Sequence, residues 1–234
     1  MTTTTKKAKT LPTAARKRTQ NAAVQRPTAT YHHGNLREAL IAAAEAILAE
    51  RDAGPSVSSQ APLTLRDVAR RAGVSHAAPY HHFASLDHLL AAVAAAGFAR
   101  LGECMAQATA TTTDARERLL RIAEAYVDTA RAHPAQFRLM FGPMLRRSPD
   151  FPPLQTAAGD AFAQVLAAAQ AFAPTRDGDV ALLGWSLSHG LANLLIDGAF
   201  EGLPVAAGDA ATLARRFSAL ALAAATEQAP SAQQ

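Results

Sequence analysis

A chain of 234 residues, 49% apolar but only 6% aromatic, rich in alanine and without β-branched runs, reads as all-α rather than as a sheet protein. The formal charge of +4 hides an asymmetry: residues 1–95 carry 12 Lys/Arg against 6 Asp/Glu, net +6, and residues 96–234 carry 11 against 13, net −2. A single cysteine, Cys104, excludes an internal disulfide and a zinc-finger cluster and reads as a small apolar filler.

Residues 1–30 hold Lys6, Lys7, Lys9, Arg16, Lys17 and Arg18 among Thr, Ala and Gln, with no helical period and no apolar run behind the charges. They read as a mobile basic arm, solvated or inserted in a minor groove, and not as a secretory signal. From Asn35 to Glu50, Leu36, Leu40, Ala43 and Ile47 recur at helical spacing. Arg51 to Pro62, with Gly54, Pro55, Ser56 and Ser58, is a fairly long loop. Thr64, with Asp67 three residues on, caps a short helix carrying Leu65, Val68, Ala69 and Ala72. Gly73 supplies the tight exit, and Ser75 is placed to cap a third helix running to about His82, with Val74, Pro79 and Phe83 facing inward. Pro79 removes one backbone bond near the first turn of that helix.

Helix, glycine turn and helix from Thr64 to Phe83 form a unit in which one helix braces the other in a major groove. Ser75, His76, Ala77 and Ala78 offer short donors and methyls to base edges, whereas Tyr80, His81, His82 and Thr64 are suited to phosphate oxygens. The basic front half supplies the matching charge for double-stranded DNA.

TLRDVARRAGVSHAAPYHHF, preceded by YHHGNLREALIAAAEAILAE, resembles the DNA-binding domain of the TetR family over residues 31 to 95. The resemblance implies a homodimer whose third helices enter successive major grooves and whose C-terminal helices bind a small ligand that releases DNA. It places Ser75, His76, Ala77, Ala78, Tyr80, His81 and His82 at DNA contacts and Thr64 at a phosphate contact. Two departures stand out: Leu86 occupies a position where many members have a phosphate-binding lysine, and the first loop is longer than usual.

A further helix starts near Leu86 and continues through Leu89, Leu90, Val93, Phe98 and Leu101, linking the basic end to the rest. Beyond it helices are expected at Ala115 to Ala132, Pro134 to Leu145, Leu154 to Phe172, Asp177 to Asp197 and Ala207 to Thr226. Ala181, Gly184, Ser188 and Ala192 form a small-residue ridge, flanked by Leu187, Leu191, Leu194 and Leu195. With Leu213, Phe217 and Leu220 of the last helix, that ridge suits either an intramolecular core or a four-helix dimer interface; the resemblance favours the dimer.

Trp185, His189 and Gly190 resemble a tryptophan-histidine-glycine signature of one branch of the family's C-terminal domains. Trp185, His189 and Asn193 share a helical face, and His133, Phe137, Met140, Phe141 and Met144 give a soft aromatic and thioether surface. Together with Tyr126 they are the candidate lining of a pocket for a mostly apolar effector, with core packing as the alternative.

The longest nearly uncharged run, Leu89 to Ala99, is shorter than the ~20 residues of a membrane span. A soluble cytoplasmic protein without a membrane partner is therefore expected. No HExxH, GxSxG, phosphate-cradling glycine loop or paired-cysteine motif is present, so no catalytic residue, metal site or cofactor is assigned and an enzyme is not expected. A metal-responsive regulator using His76, His81 and His82, or a non-specific nucleoid-type binder, is the alternative to a ligand-released repressor. The expected organisation is a basic arm (1–30), a helix-turn-helix domain (31–85), a helical ligand-binding and dimerisation domain (86–228) and a short tail (229–234).

Overall fold

The computed structural model describes residues 1–3, 36–52, 63–201 and 208–227, and these are helical apart from short connections. The basic arm from residue 4 onward, most of the first loop and the tail lie outside them. Residues 34–234 group into one compact unit.

Helix α1 (Leu36–Asp52) buries Leu40, Ile41, Ala43 and Ala44; of the stripe expected from spacing Leu40 and Ala43 are buried, while Leu36 and Ile47 pack only partly buried against the same cluster. Helix α2 (Leu65–Arg71) opens with the expected capping box: Thr64 Oγ1 accepts from the Asp67 amide at 3.2 Å, and Asp67 Oδ2 accepts from the Thr64 amide at 3.2 Å. It closes with Gly73 at φ 71°, where the Gly73 amide donates to Arg70 O and the Val74 amide to Ala69 O. That pair of reversed bonds satisfies two carbonyls that would otherwise have no partner.

The reading element differs from the expectation. In place of an α-helix from Ser75 to His82 there is one 3₁₀ turn, Ala78–His81, capped by the backbone of Ala77 and by no side chain, so Ser75 does not cap it. Pro79 provides no amide, and its ring is buried as the anchor of the turn, whose bonds are mainly three residues apart, Tyr80 N–H to Ala77 O and His82 N–H to Pro79 O, with Phe83 N–H closing it onto Pro79 O.

Helix α3 (Leu86–Thr109), capped by Ser85, runs through both apolar clusters of the unit. Its Leu89, Ala92 and Val93 pack with Leu40, Val68 and Phe83, and its Phe98, Leu101 and Met105 pack with the C-terminal helices. Helix α4 (Ala115–Ala132) is the central member of that second cluster, burying Leu119, Leu120, Ala123, Tyr126 and Val127.

The single helix expected from Pro134 to Leu145 is two, α5 (Pro134–Phe141) and α6 (Pro143–Arg146). Pro143 disfavours helical geometry at the residue before it, and Gly142 is extended at ψ −162°. Helix α7 (Pro152–Phe172) starts two residues earlier than expected because prolines fit the first helical turn. Helices α8 (Asp177–Ile196) and α9 (Ala210–Glu227) complete the unit.

The small-residue ridge of α8 faces the chain's own interior and not a dimer surface. Ala181 and Ala192 are buried inside the chain's own second cluster and Ser188 is buried between them on the helix, and the exposed apolar residues are instead Leu182, Leu183 and Leu194 of α8 and Leu220 of α9. Helix α8 is apolar on nearly every side, so periodicity alone had no basis for choosing its inner face. The membrane expectation also needs amending, since α3 and α8 are both long and apolar enough to cross a bilayer by length and composition. In α3 the reason is burial in two clusters at once.

Helix α9 is tied to α4 by Arg215, whose guanidinium meets Glu117 at 2.6 Å and Glu124 at 3.4 Å, while Arg121 also reaches Glu117 at 2.9 Å. Arg215, then Arg121, hold the Glu117 carboxyl down to about 2 from an ordinary 4.5. A depressed folded-state value means that the stabilisation is present above about pH 4.5 and is lost as pH falls toward 2. Thermal melts stepped across that window are expected to show a smaller acid-induced loss for Glu117→Gln than for the parent; equal losses would remove this pair as a source of acid sensitivity.

Candidate nucleic-acid interface and apolar cavity

Burial of Pro79 and Phe83 beneath the reading turn forces its other side chains outward. Ser75, His76, Ala77, Tyr80, His81 and His82 are exposed, Ala78 is half-buried, and Tyr80 retains 60% of its accessible surface. Thr64 is exposed at the start of α2, though its hydroxyl is engaged by Asp67 at 2.6 Å. The eight residues expected at DNA therefore lie on α2's first turn and the reading turn.

Among nearby cations, Arg70 pairs with Asp67 at 2.8 Å and Arg71 forks onto Glu50 at 2.8 and 2.6 Å, so both carry a competing carboxylate. Arg66 has no ion-pair partner among the described residues and is the cation of α2 best placed to meet phosphate. No three His, Cys, Asp or Glu side chains converge as a metal site among the described residues, so His76, His81 and His82 do not form one there.

A cavity of about 290 Å³ lies in the second cluster. Phe98, Leu101 and Met105 of α3, Tyr126 of α4 and Phe141 of α5 form one side, and Phe162 and Val165 of α7 with Leu182 and Trp185 of α8 form the other. Its wall carries no ionisable side chain except the Tyr126 phenol, held above its ordinary value by burial. That hydroxyl accepts from Trp185 Nε1 at 3.3 Å and lies 3.0 Å from His189 Nδ1, so its hydrogen-bonding capacity is largely used. Burial holds the His189 imidazole below its usual range, favouring the neutral ring.

Of the residues singled out in the sequence, Tyr126, Phe141 and Trp185 are on the cavity wall. Phe137 and His189 stand behind it, their rings 5.3 Å apart. Met140 is buried against Gly97, Met144 is buried at the end of the α5–α6 segment, and Asn193 Nδ2 donates to His189 O at 2.8 Å. His133 is exposed at the end of α4, away from the cavity. Sequence reasoning did not assign Phe98, Leu101, Met105, Phe162, Val165 or Leu182 to the wall. The available signal was a linking helix apolar on more than one face, which marks burial on several sides.

Helix α5 touches both the cavity and helix α1 of the first cluster. Phe141 lines the cavity, while the buried Gln136 of the same helix donates to Glu45 Oε1 of α1 at 2.8 Å and to Val93 O of α3 at 2.9 Å, and accepts from Arg100. Arg138 bridges Asp52 at the end of α1 and Asp197 after α8, the latter at 2.7 Å.

Residues 40–93 match the family model described as bacterial regulatory proteins, tetR family, and residues 119–226 match the one described as Tetracyclin repressor-like, C-terminal domain. The chain belongs to the TetR family. It is accordingly a helix-turn-helix transcription regulator and not an enzyme. A protein of unknown function from Rhodococcus sp. RHA1 is 31% identical, with a TM-score of 0.66 over 84% of this chain and 98% of that one. The TetR family regulator PfmR from Thermus thermophilus is 19% identical (TM-score 0.56; 79% and 97% covered), and the fatty acid degradation regulator FadR from Bacillus halodurans is 14% identical (TM-score 0.61; 82% and 96% covered). These last two show the shared fold alone. No curated protein matches the chain.

Proposed function

We propose that this regulator is a cytoplasmic, homodimeric repressor that reads its operator with Ser75, His76, Ala77, Ala78, Tyr80, His81, His82 and Thr64 and is released by a small, mostly apolar effector. The observation that carries the reading is the double membership of α5, whose Phe141 lines the cavity while Gln136 and Arg138 hold α1. An effector that packs better when Phe141 is displaced favours a state in which α1, and the reading turn packed on it, has moved; such a ligand must weaken DNA binding.

The wall residues Tyr126, Phe141 and Trp185 are the proposed effector contacts, with Phe137, His189 and Asn193 supporting them. Trp185, His189 and Gly190 favour the tryptophan-histidine-glycine branch for the C-terminal half. Exposed Leu182, Leu183, Leu194 and Leu220 support pairing through α8 and α9, since that much unpartnered leucine on two adjacent helices is costly in water.

The test is a fluorescence-anisotropy titration against duplexes flanking the regulator's own gene, with random DNA as competitor. Expected is competitor-resistant nanomolar binding of two protomers to one near-palindrome with half-sites ~34–36 Å apart or a multiple of that. Tyr80→Ala and His76→Ala are each expected to weaken it about tenfold at unchanged melting temperature. Micromolar binding, equal on all duplexes and erased by moderate salt, would count against specific reading.

A further inference from the structure

Arginine is the only strongly basic side chain among the described residues, because the lysines, Lys6, Lys7, Lys9 and Lys17, all lie in the arm. At the DNA-facing end Arg70 and Arg71 are held by Asp67 and Glu50. Arg37, on the first turn of α1, is exposed, and its side chain has no ion-pair or hydrogen-bond partner among the described residues. Its guanidinium carbon instead lies over the Phe83 ring, 5.5 Å from the centroid. Phe83 is buried and its amide donates to Pro79 O at 2.9 Å, so the ring that seats Arg37 belongs to the closure of the reading turn. A ring contact holds a cation in place while supplying no counter-charge, and it leaves the guanidinium donors without an oxygen acceptor.

We infer that Arg37 is a phosphate contact of the operator, brought from α1 to the flank of the reading turn. This rests on the operator being read by that turn and adds a positioning residue outside it. Arg37 and the exposed His82 border one recess of about 220 Å³, which places the guanidinium beside a side chain already suited to phosphate. The carboxylate that borders the same recess, Asp150, pairs with Arg147 at 3.5 Å, and Arg147 also binds Asp87. A phosphate contact carries no sequence information but fixes the register of the residues that do. Because Glu45 and Asp52 of the same helix are bound by Gln136 and Arg138 of α5, a shift of α1 would move a DNA contact directly, and not only through the packing of the turn.

The salt dependence of DNA binding tests the assignment. Anisotropy of full-length regulator is followed between about 50 and 200 mM salt, on a duplex from its own flanking DNA and on a random duplex of equal length. Arg37→Met keeps an unbranched side chain over the Phe83 ring and removes the charge. It is expected to weaken binding to both duplexes alike, about tenfold at the lower salt, and to reduce the slope of log affinity against log salt by about one, at unchanged melting temperature. Arg37→Lys is expected to keep the parent slope. Arg116→Ala, at the start of α4 and beyond the far end of α3, removes the same net charge and is also expected to keep it. A parental slope in Arg37→Met, a loss that Arg37→Lys shares in full, or an equal loss in Arg116→Ala overturns the inference. Failure of the underlying reading looks different: a parent that binds both duplexes equally sinks specific operator reading, while the slope on the random duplex still decides the role of Arg37.

Discussion

Gly73→Val is expected to lower the melting temperature of the regulator by roughly 4–8 °C, the equivalent of about 2 kcal/mol, and to weaken operator binding more than tenfold. The cost is one of backbone conformation and not of space. Gly73 sits at φ 71°, and a Cβ built there meets nothing within 4 Å. A β-branched residue at positive φ is strained on its own account, whereas asparagine tolerates the left-handed region. Gly73→Asn is therefore expected to cost least, Gly73→Ala more and Gly73→Val most. Relief of the strain would pull apart the Gly73 and Val74 bonds to Arg70 and Ala69 and reorient the reading turn against α2, so DNA affinity should fall in the same order. Melts at one protein concentration, with anisotropy on a fixed duplex, read both effects. Equal behaviour of the alanine and valine variants would show that the turn does not depend on positive φ.

Gln136→Leu tests the link between cavity and DNA-facing end. The Gln136 amide satisfies Glu45, Val93 O and Arg100 at once, at 6% exposure. An apolar isostere leaves those three partners facing a side chain that bonds to none of them, and is expected to cost about 1–3 kcal/mol in denaturant unfolding. Glu45→Gln paired with Gln136→Leu in a double-mutant cycle should be non-additive by more than ~0.5 kcal/mol, because both residues belong to one network. Additivity would mean that α1 and α5 are merely adjacent. Neither change touches the cavity wall, so the Trp185 emission of both variants should match that of the parent.

The DNA-reading end was legible because its determinants are local. Thr64 and Asp67 cap a helix three residues apart in sequence, and Gly73 closes it within two residues of its last turn, so spacing and structure coincide. Legibility stopped at Pro79, where removal of one amide tipped a short segment from α-helix to a 3₁₀ turn. The same limit recurs at Gly142 and Pro143, which cut an expected helix in two.

Of the eleven residues that line the cavity, only Tyr126, Phe141 and Trp185 were legible. Trp185 stands out through the tryptophan-histidine-glycine signature and Phe141 through its aromatic and thioether run, but Leu101, Val165 and Leu182 are indistinguishable in sequence from leucines and valines that fill the core. What the sequence by itself determined is the all-α class, the capped helix α2 with its glycine exit, and the family, since each rests on propensity, capping or motif carried by neighbouring residues. Only the tertiary structure decided that the α8 ridge turns inward, that Gln136 joins three helices and that a void remains between α3, α7 and α8. Those outcomes depend on how helices far apart in the chain share one volume, and a helix apolar on most of its surface records no preference for the neighbour it will meet.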